Sequence, residues 1–257
     1  MKTILIIGIG TGNPEHLTLQ AVAALNRVDV FFIMDKGEAK GGMIDLRKDI
    51  CARFITAGRN YRFATAQSPH WDRHSGAYNA VIDGLNRDKQ AIFEQMIADD
   101  MAEGETAGLL VWGDPSLYDS TIRIMADIAA AGRHAIAYEV IPGISSLHAL
   151  TAQHRTTLNT VGQPVEITTG RRLAEGGFPA HTDSVFVMLD GDDTYRRFAG
   201  DDSLDIYWGA YIGSPDEILI SGRLQDVAEQ IAQTRAAARQ AHGWIMDSYL
   251  LRRVRRT

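Results

Sequence analysis

Along the first half of the chain, apolar residues come as short unbroken runs separated by stretches in which they recur every three or four positions. Residues 3–9, 28–34 and 107–112 are runs of the first kind, and their branched side chains predict strands covered on both faces; 135–141 reads as a further strand, ended by Pro142-Gly143. Between the first two, Asn13-Pro14-Glu15 offers an N-cap, a proline at the first helical position and an acid in the first turn. Leu17, Ala21, Ala24 and Leu25 follow on one side of the predicted helix. Further helices are predicted at 45–54, at 86–103 with Ile92, Met96 and Ile97 opposite charges, and from about 117 to 131, where Gly132 stops the last. The polar, aromatic stretch 59–78 follows neither period and reads as insertion or substrate-facing loop. Strands alternating with helices describe a mainly parallel sheet with right-handed crossovers.

The texture changes beyond residue 141. Segments 165–169, 184–189, 205–211, 217–221 and 244–249 read as strands, several close enough in sequence to form hairpins. The expected architecture is therefore α/β with two domains. Residues 1–141 hold a mainly parallel sheet, residues 142–257 a mixed one, and the active site lies in the cleft between them. Arg252-Arg253-Val254-Arg255-Arg256 reads as a solvated basic tail.

Composition narrows the classes of function. The 257 residues carry 26 lysines and arginines against 32 acids, a net charge of −6. An acidic chain lacks the coherent basic field that grips nucleic acid, so an anionic ligand must meet local arginines. One cysteine, Cys51, makes neither an intrachain disulfide nor a cysteine-based zinc site, which fits a reducing compartment. The apolar run 4–7 is too short for a signal core, and no stretch approaches the roughly 20 apolar residues of a membrane span. A cytoplasmic protein without membrane or nucleic-acid partners is expected.

Three segments carry chemistry. Gly8-Ile9-Gly10-Thr11-Gly12 ends the first predicted strand, where glycines let backbone approach a phosphate, yet its third glycine comes one residue early for G-x-G-x-x-G. It is a nucleotide site or a bare glycine turn. Gly113-Asp114-Pro115-Ser116-Leu117-Tyr118-Asp119-Ser120-Thr121 leaves a strand and opens a helix, so its free amides suit a carboxylate and Asp114 suits a hydroxyl donor. The plainer alternative is a capped turn. Ile141-Pro142-Gly143-Ile144-Ser145-Ser146 repeats the arrangement after the next strand, and the two together suggest a pocket.

These segments, with Pro14-Glu15-His16-Leu17-Thr18 after the first, Asp35 at a strand end, and the late Ser214-Pro215-Asp216-Glu217 and Ser221-Gly222-Arg223-Leu224, occur in the order seen in tetrapyrrole methylases. The chain resembles that family over nearly its whole length. The resemblance implies S-adenosylmethionine as cofactor, turned over to S-adenosylhomocysteine, a small-molecule tetrapyrrole substrate and a homodimer. It implies cofactor contacts from Gly113, Asp114, Pro115, Tyr118, Ser120 and Thr121, from Ile141, Pro142, Gly143, Ser145 and Ser146, and from Leu189, Ala210, Tyr211 and Ile212 in the second domain. It moves Gly8, Gly10, Thr11 and Gly12 from the cofactor to the tetrapyrrole trough. The sequence departs from the family at Asp190-Gly191, where a methionine-glycine pair is usual.

Methyl transfer from a sulfonium asks a protein chiefly to align and desolvate the reactants. Asp35, Tyr118 and His148 are the candidate acid–base residues, each with a structural alternative: helix cap, core aromatic, satisfied histidine. Arg53, Arg59, Arg62, Arg73, Arg171 and Arg172 are candidates for substrate carboxylates, Arg59 and Arg62 foremost, or else solvated charges. His70-Trp71-Asp72-Arg73-His74 lacks a second ligand pair, so no metal is expected. Competing functions are a nicotinamide-dependent oxidoreductase, the same fold acting on another acceptor, and a non-catalytic tetrapyrrole carrier.

Overall fold

The computed structural model describes residues 1–35, 37, 41–69 and 78–254, which form two compact units. One comprises Met1–Gly10 and Pro14–Ile144, the other Thr11–Asn13 and Ser145–Thr257. The expected boundary at 141 placed Thr11 and Gly12 with the first unit; the chain instead lends this short segment to the second.

The first unit contains β1 (Lys2–Gly8), α1 (Leu19–Leu25), β2 (Val30–Asp35), α2 (Gly41–Phe54), β3 (Arg62–Gln67), α3 (Tyr78–Asp99), β4 (Thr106–Val111), α4 (Thr121–Ala131) and β5 (Ile136–Ile141). Its five strands are all parallel, in the order β3-β2-β4-β1-β5. The central β1 shows why its sequence lacks alternation: Leu5 and Ile7 pack into one layer with Ala21, Leu25 and Ile50 of α1 and α2. Ile4 and Ile6 pack into the other with Met96, Ile97, Ile124 and Ile128 of α3 and α4.

Two expectations change here. The helix after β1 is capped not by Asn13 but by Thr18, whose hydroxyl accepts the Ala21 amide at 3.0 Å, and Pro14–His16 is a separate 3-10 turn. The stretch read as loop contains β3, an edge strand pairing with β2. Its weak signal has a cause: the buried-side residues are mostly Ala64 and Ala66, and one edge of the strand has no partner.

The second unit contains α5 (Ser146–Gln153), β6 (Val165–Thr169), α6 (Gly170–Gly176), β7 (Ser184–Met188), β8 (Leu204–Ala210), β9 (Ile218–Arg223), α7 (Leu224–His242) and β10 (Asp247–Arg253). The sheet runs β6-β7-β10-β8-β9; β6 and β7 are parallel and the other neighbours antiparallel, so the expected mixed sheet is present. Val185, Val187, Ile206, Trp208, Tyr249 and Leu251 cover one face and meet Leu224, Ala228 and Ile231 of α7. The basic tail is corrected in part. Arg252 is a buried residue of β10, donating from Nη1 to the Thr156 hydroxyl at 3.1 Å and from Nη2 to the Thr157 carbonyl. The arginines at 255 and 256 lie outside the described residues.

Candidate functional site

In parallel sheets, ligands gather at the carboxyl ends of the strands. At that end the three adjacent strands β4, β1 and β5 bring their glycine segments into backbone contact. The Gly113 amide donates to the Gly10 carbonyl at 2.7 Å, and the Gly10 amide to the Gly113 carbonyl at 3.3 Å. A Cβ on Gly8 would stand 2.6 Å from the Gly143 nitrogen. A Cβ on Gly143 would stand 2.1 Å from the Gly113 oxygen. No other residue type fits these two positions without separating the strands, and the result is a cradle made of main chain.

Asp114 ties the cradle together. Its Oδ2 accepts the Gly143 amide at 2.8 Å, and its Oδ1 accepts the Ser116 amide at 2.8 Å and the Ser116 hydroxyl. The capped-turn alternative therefore describes part of its role, but the cap reaches across to the neighbouring loop. Beyond it, Pro115 is buried, and Tyr118 is 46% exposed with φ of 52°. The Asp119 carboxylate accepts the Thr121 amide at 2.7 Å where α4 begins, and Ser120, the N-cap, makes no side-chain capping bond.

Ile141 is buried and Pro142 exposed at the end of β5. In the second unit, Ser145 Oγ and His148 Nδ1 lie 3.0 Å apart at the start of α5, with Ser145 buried and His148 exposed. Ser146 Oγ is buried with no hydrogen-bond partner among the described residues. Thr11 and Gly12 also belong to this unit, and a Cβ on Gly12 would stand 3.4 Å from the Ser214 nitrogen and 3.5 Å from the Ile212 oxygen.

At the ends of β7 and β8, Leu189 is 65% exposed with φ of 53°, whereas Tyr211, with φ of 50°, is buried and donates its hydroxyl to the Trp244 carbonyl at 2.6 Å. Tyr211 can offer a ligand main chain rather than its phenol. Ala210 and Ile212 on either side are buried. Tyr118, Leu189 and Tyr211 are three of the five non-glycine residues with left-handed backbone among the described residues. Such conformations cost of order 1–3 kcal/mol each and concentrate at functional sites.

Other predicted residues lie elsewhere, most of them in the first unit. Asp35, at the end of β2, accepts the Gly37 amide at 2.8 Å and the Gln67 side-chain amide at 3.2 Å, closing its own turn. Arg59 and Arg62, expected to meet substrate carboxylates, sit where β2 and β3 begin, at the opposite end of the parallel sheet from the cradle. Arg59 donates to the Val28 carbonyl and Asp29, both at 3.2 Å. Arg62 donates twice to Glu105, both at 2.7 Å. Arg53 faces Glu15 at 3.9 Å, and Arg171 and Arg172 pair with Glu175 within α6. Residues 70–77, including Arg73 and the two histidines, lie outside the described residues.

Sequence reasoning missed Arg47. Its Nε donates at 3.0 Å to the Leu110 carbonyl, above the point where the β2–β4 ladder ends at Phe31 and Gly108. Burial lowers its pKa and that of Lys89, and the charge of Asp119 opposes the shift in both. Two desolvated cations thus sit within electrostatic reach of the β4 exit loop; mid-helix placement among polar residues gave no sign of them. Among the described residues, no group of three or more His, Cys, Asp or Glu side chains could hold a metal ion, and no helix is long and apolar enough to cross a membrane.

Residues 3–228 match the model of the tetrapyrrole (corrin/porphyrin) methylases. The chain is 51% identical over 255 residues to a precorrin-6A synthase [deacetylating] of Sinorhizobium sp, covering 98% of this chain and 96% of that one. A crystal structure of a cobalamin-synthesis-related protein from Corynebacterium diphtheriae superposes with a TM-score of 0.82 at 32% identity, covering 99% of this chain and 100% of that one. The fold is also that of uroporphyrin-III C-methyltransferase from Thermus thermophilus, solved with S-adenosylhomocysteine (TM-score 0.56, 18% identity, 97% and 96% covered).

Proposed function

This chain belongs to the tetrapyrrole (corrin/porphyrin) methylases, and on that premise we propose that it transfers the methyl of S-adenosylmethionine to a ring carbon of a precorrin. The specific reading is methylation of precorrin-5 at carbon-1 with release of acetate to give precorrin-6A, supported by the identity with the deacetylating synthase. The observation that carries the cofactor assignment is the clasp of the Asp114 carboxylate on the Gly143 amide, which joins the Gly113 and Gly143 loops where β4 and β5 end.

The residues fit the cofactor in kind. Side chains are excluded where strands β1, β4 and β5 end, and Ser146 holds a buried hydroxyl that lacks a partner among the described residues. The cofactor supplies a methyl already activated on a sulfonium. We assign its binding to Gly113, Asp114, Pro115, Ser120, Thr121, Ile141, Pro142, Gly143, Ser145 and Ser146, with Leu189, Ala210, Tyr211 and Ile212 of the second unit. Gly8, Gly10, Thr11 and Gly12 are assigned to the tetrapyrrole. Departure of the acyl group as acetate takes a hydroxyl from water, so one group must accept a proton. Tyr118 and His148, both exposed beside assigned residues, are the candidates, and Asp35 is a weaker one because one of its oxygens serves its own turn and the other accepts from Gln67 of β3. A cytoplasmic homodimer is part of the same reading, resting on the single cysteine and the family resemblance.

Incubating the protein with S-adenosylmethionine and a pool of precorrins, followed by mass analysis, tests the function. One methyl gained with one acetyl lost is the expected product. Methyl gain alone moves the reading to a sibling reaction, and no turnover refutes it. Asp114→Ala is expected to weaken S-adenosylhomocysteine binding by at least about tenfold, since it releases Gly143 and Ser116 together; wild-type affinity in a calorimetric titration would remove Asp114 from the site.

A further inference from the structure

Behind the exit of β7 lies a group of buried charges that the reaction above does not use. Asp190 is 7% exposed, and its carboxylate accepts four hydrogen bonds. Oδ1 takes the Asp192 amide at 3.0 Å and the Thr194 hydroxyl at 2.9 Å. Oδ2 takes the Thr194 amide at 2.8 Å and the Tyr249 hydroxyl at 2.7 Å. The same side chain lies hard against Gly170, the first residue of α6, where a Cβ would come within 2.4 Å of it. One carboxylate therefore joins the exits of β6 and β7 to β10.

Arg235 of α7, also 7% exposed, meets this carboxylate's residue from below. Its Nη2 donates to the Asp190 carbonyl at 2.7 Å, its Nε to Asp247 at 2.9 Å, and its Nη1 stands 3.2 Å from Asp193. Asp247 also accepts the Trp208 indole N–H at 3.0 Å and faces Ala210 across the β10–β8 ladder. A single guanidinium thus grips the residue after Leu189 and the residue opposite the one before Tyr211. Leu189 and Tyr211, each immediately following its strand, are left-handed, as is Asp193 beside Nη1 of the same guanidinium.

Buried ions are poor stabilisers, because desolvation consumes most of the attraction. What a planar fork provides is fixed geometry at several acceptors at once. We infer that Arg235 and Asp190 are positioning residues that hold the turns carrying Leu189 and Tyr211 in the shape that receives the cofactor. The inference rests on the reading that these two turns contact it.

The test uses the whole chain carrying Arg235→Lys or Asp190→Asn. An ammonium can reach one carboxylate but not the Asp190 carbonyl and Asp247 together. Arg235→Lys is expected to melt cooperatively while its Kd for S-adenosylhomocysteine rises roughly tenfold to a hundredfold, the range for a small misplacement of site groups. KM for S-adenosylmethionine should rise with it, KM for the precorrin should not, and Asp190→Asn should fall between wild type and Arg235→Lys. A folded Arg235→Lys protein with wild-type Kd and KM overturns the inference and leaves the network a matter of stability alone. If the wild type itself fails to bind S-adenosylhomocysteine, the cofactor reading falls, and hydrogen exchange at the Asp192 and Thr194 amides then decides. Faster exchange in Arg235→Lys at an unchanged melting temperature supports the positioning role, and unchanged exchange refutes it.

Discussion

Replacing Gly143 by alanine isolates the close approach on which the cradle depends. The new methyl would stand 2.1 Å from the Gly113 oxygen and 2.8 Å from both the carbonyl carbon and the Cα of Gly8. Non-bonded heavy atoms rest roughly 3.5 Å apart, so β5 must retreat by about 1 Å from two strands that are themselves backbone and cannot rotate away. Overpacking of this kind costs about 1–3 kcal/mol. The retreat also breaks the 2.8 Å bond from the Gly143 amide to the Asp114 carboxylate, worth about 1.5–3 kcal/mol as a bond to a charged group. Together the loss is about 2.5–6 kcal/mol, which for a chain of this length lowers the melting temperature by at least about 5 °C. Gly84→Ala is the control: it lies within α3, its Cβ would find only Arg87 Nη2 at 3.9 Å, and it should stabilise by up to about 1 kcal/mol. Calorimetric melting of both variants, with S-adenosylhomocysteine titrated into each, decides. If Gly143→Ala melts within about 2 °C of wild type and binds normally, the three strands do not meet as described and the cradle argument fails.

Arg62→Gln should leave KM for the tetrapyrrole unchanged and cost no more than about 1 kcal/mol, as expected of an exposed ion pair; a raised KM would return Arg62 to the substrate site. Its partner Glu105, held down at about 2 chiefly by the hydrogen bond from Arg62, gives the pH signature of the pair. That contribution is complete above the ordinary glutamate value of 4.5 and disappears as the pH falls toward 2, so wild type and Arg62→Gln should converge in acid denaturation. His154 has the opposite chemistry but the same sign. Burial lowers its pKa below 6.5 while Nε2–H donates to the Trp208 carbonyl at 3.0 Å, so its neutral form is the folded one. Below pH 6.5 the unfolded chain gains the proton first and stability is lost; His154→Gln should flatten melting temperature between pH 7 and 5, and an unchanged slope would refute this assignment.

β1 and β4 were legible because they are apolar enough to read as buried without any knowledge of their neighbours, and β5, an edge strand with Tyr138, Glu139 and Val140 exposed, was legible from its branched residues and the Pro142-Gly143 that follows it. β3 was not, since Ala64 and Ala66 bury little surface and half its hydrogen bonds face no partner. That omission hid the place of Arg62. Once β3 is seen as a parallel strand beginning at Arg62, the residue falls at the amino end of the sheet, opposite the cradle. α7 escaped notice for a related reason: alanines and Arg235 make up much of its buried face, so its apolar stripe is faint. The motif order singled out the loops proposed for the cofactor, but the clasp between Asp114 and Gly143 joins residues far apart in sequence, and no local pattern encodes it.

Tyr118 and Leu189, both exposed, adopt a backbone that glycine would take up without strain. Heat resistance and turnover therefore pull these positions in opposite directions. A library screened only for survival after heating should drift toward glycine or asparagine there, gaining robustness one turn at a time. Lineages selected on cobalamin-type chemistry should keep a side chain at both, and the gap between the two populations would measure how much durability the protein forgoes to keep its turns bent.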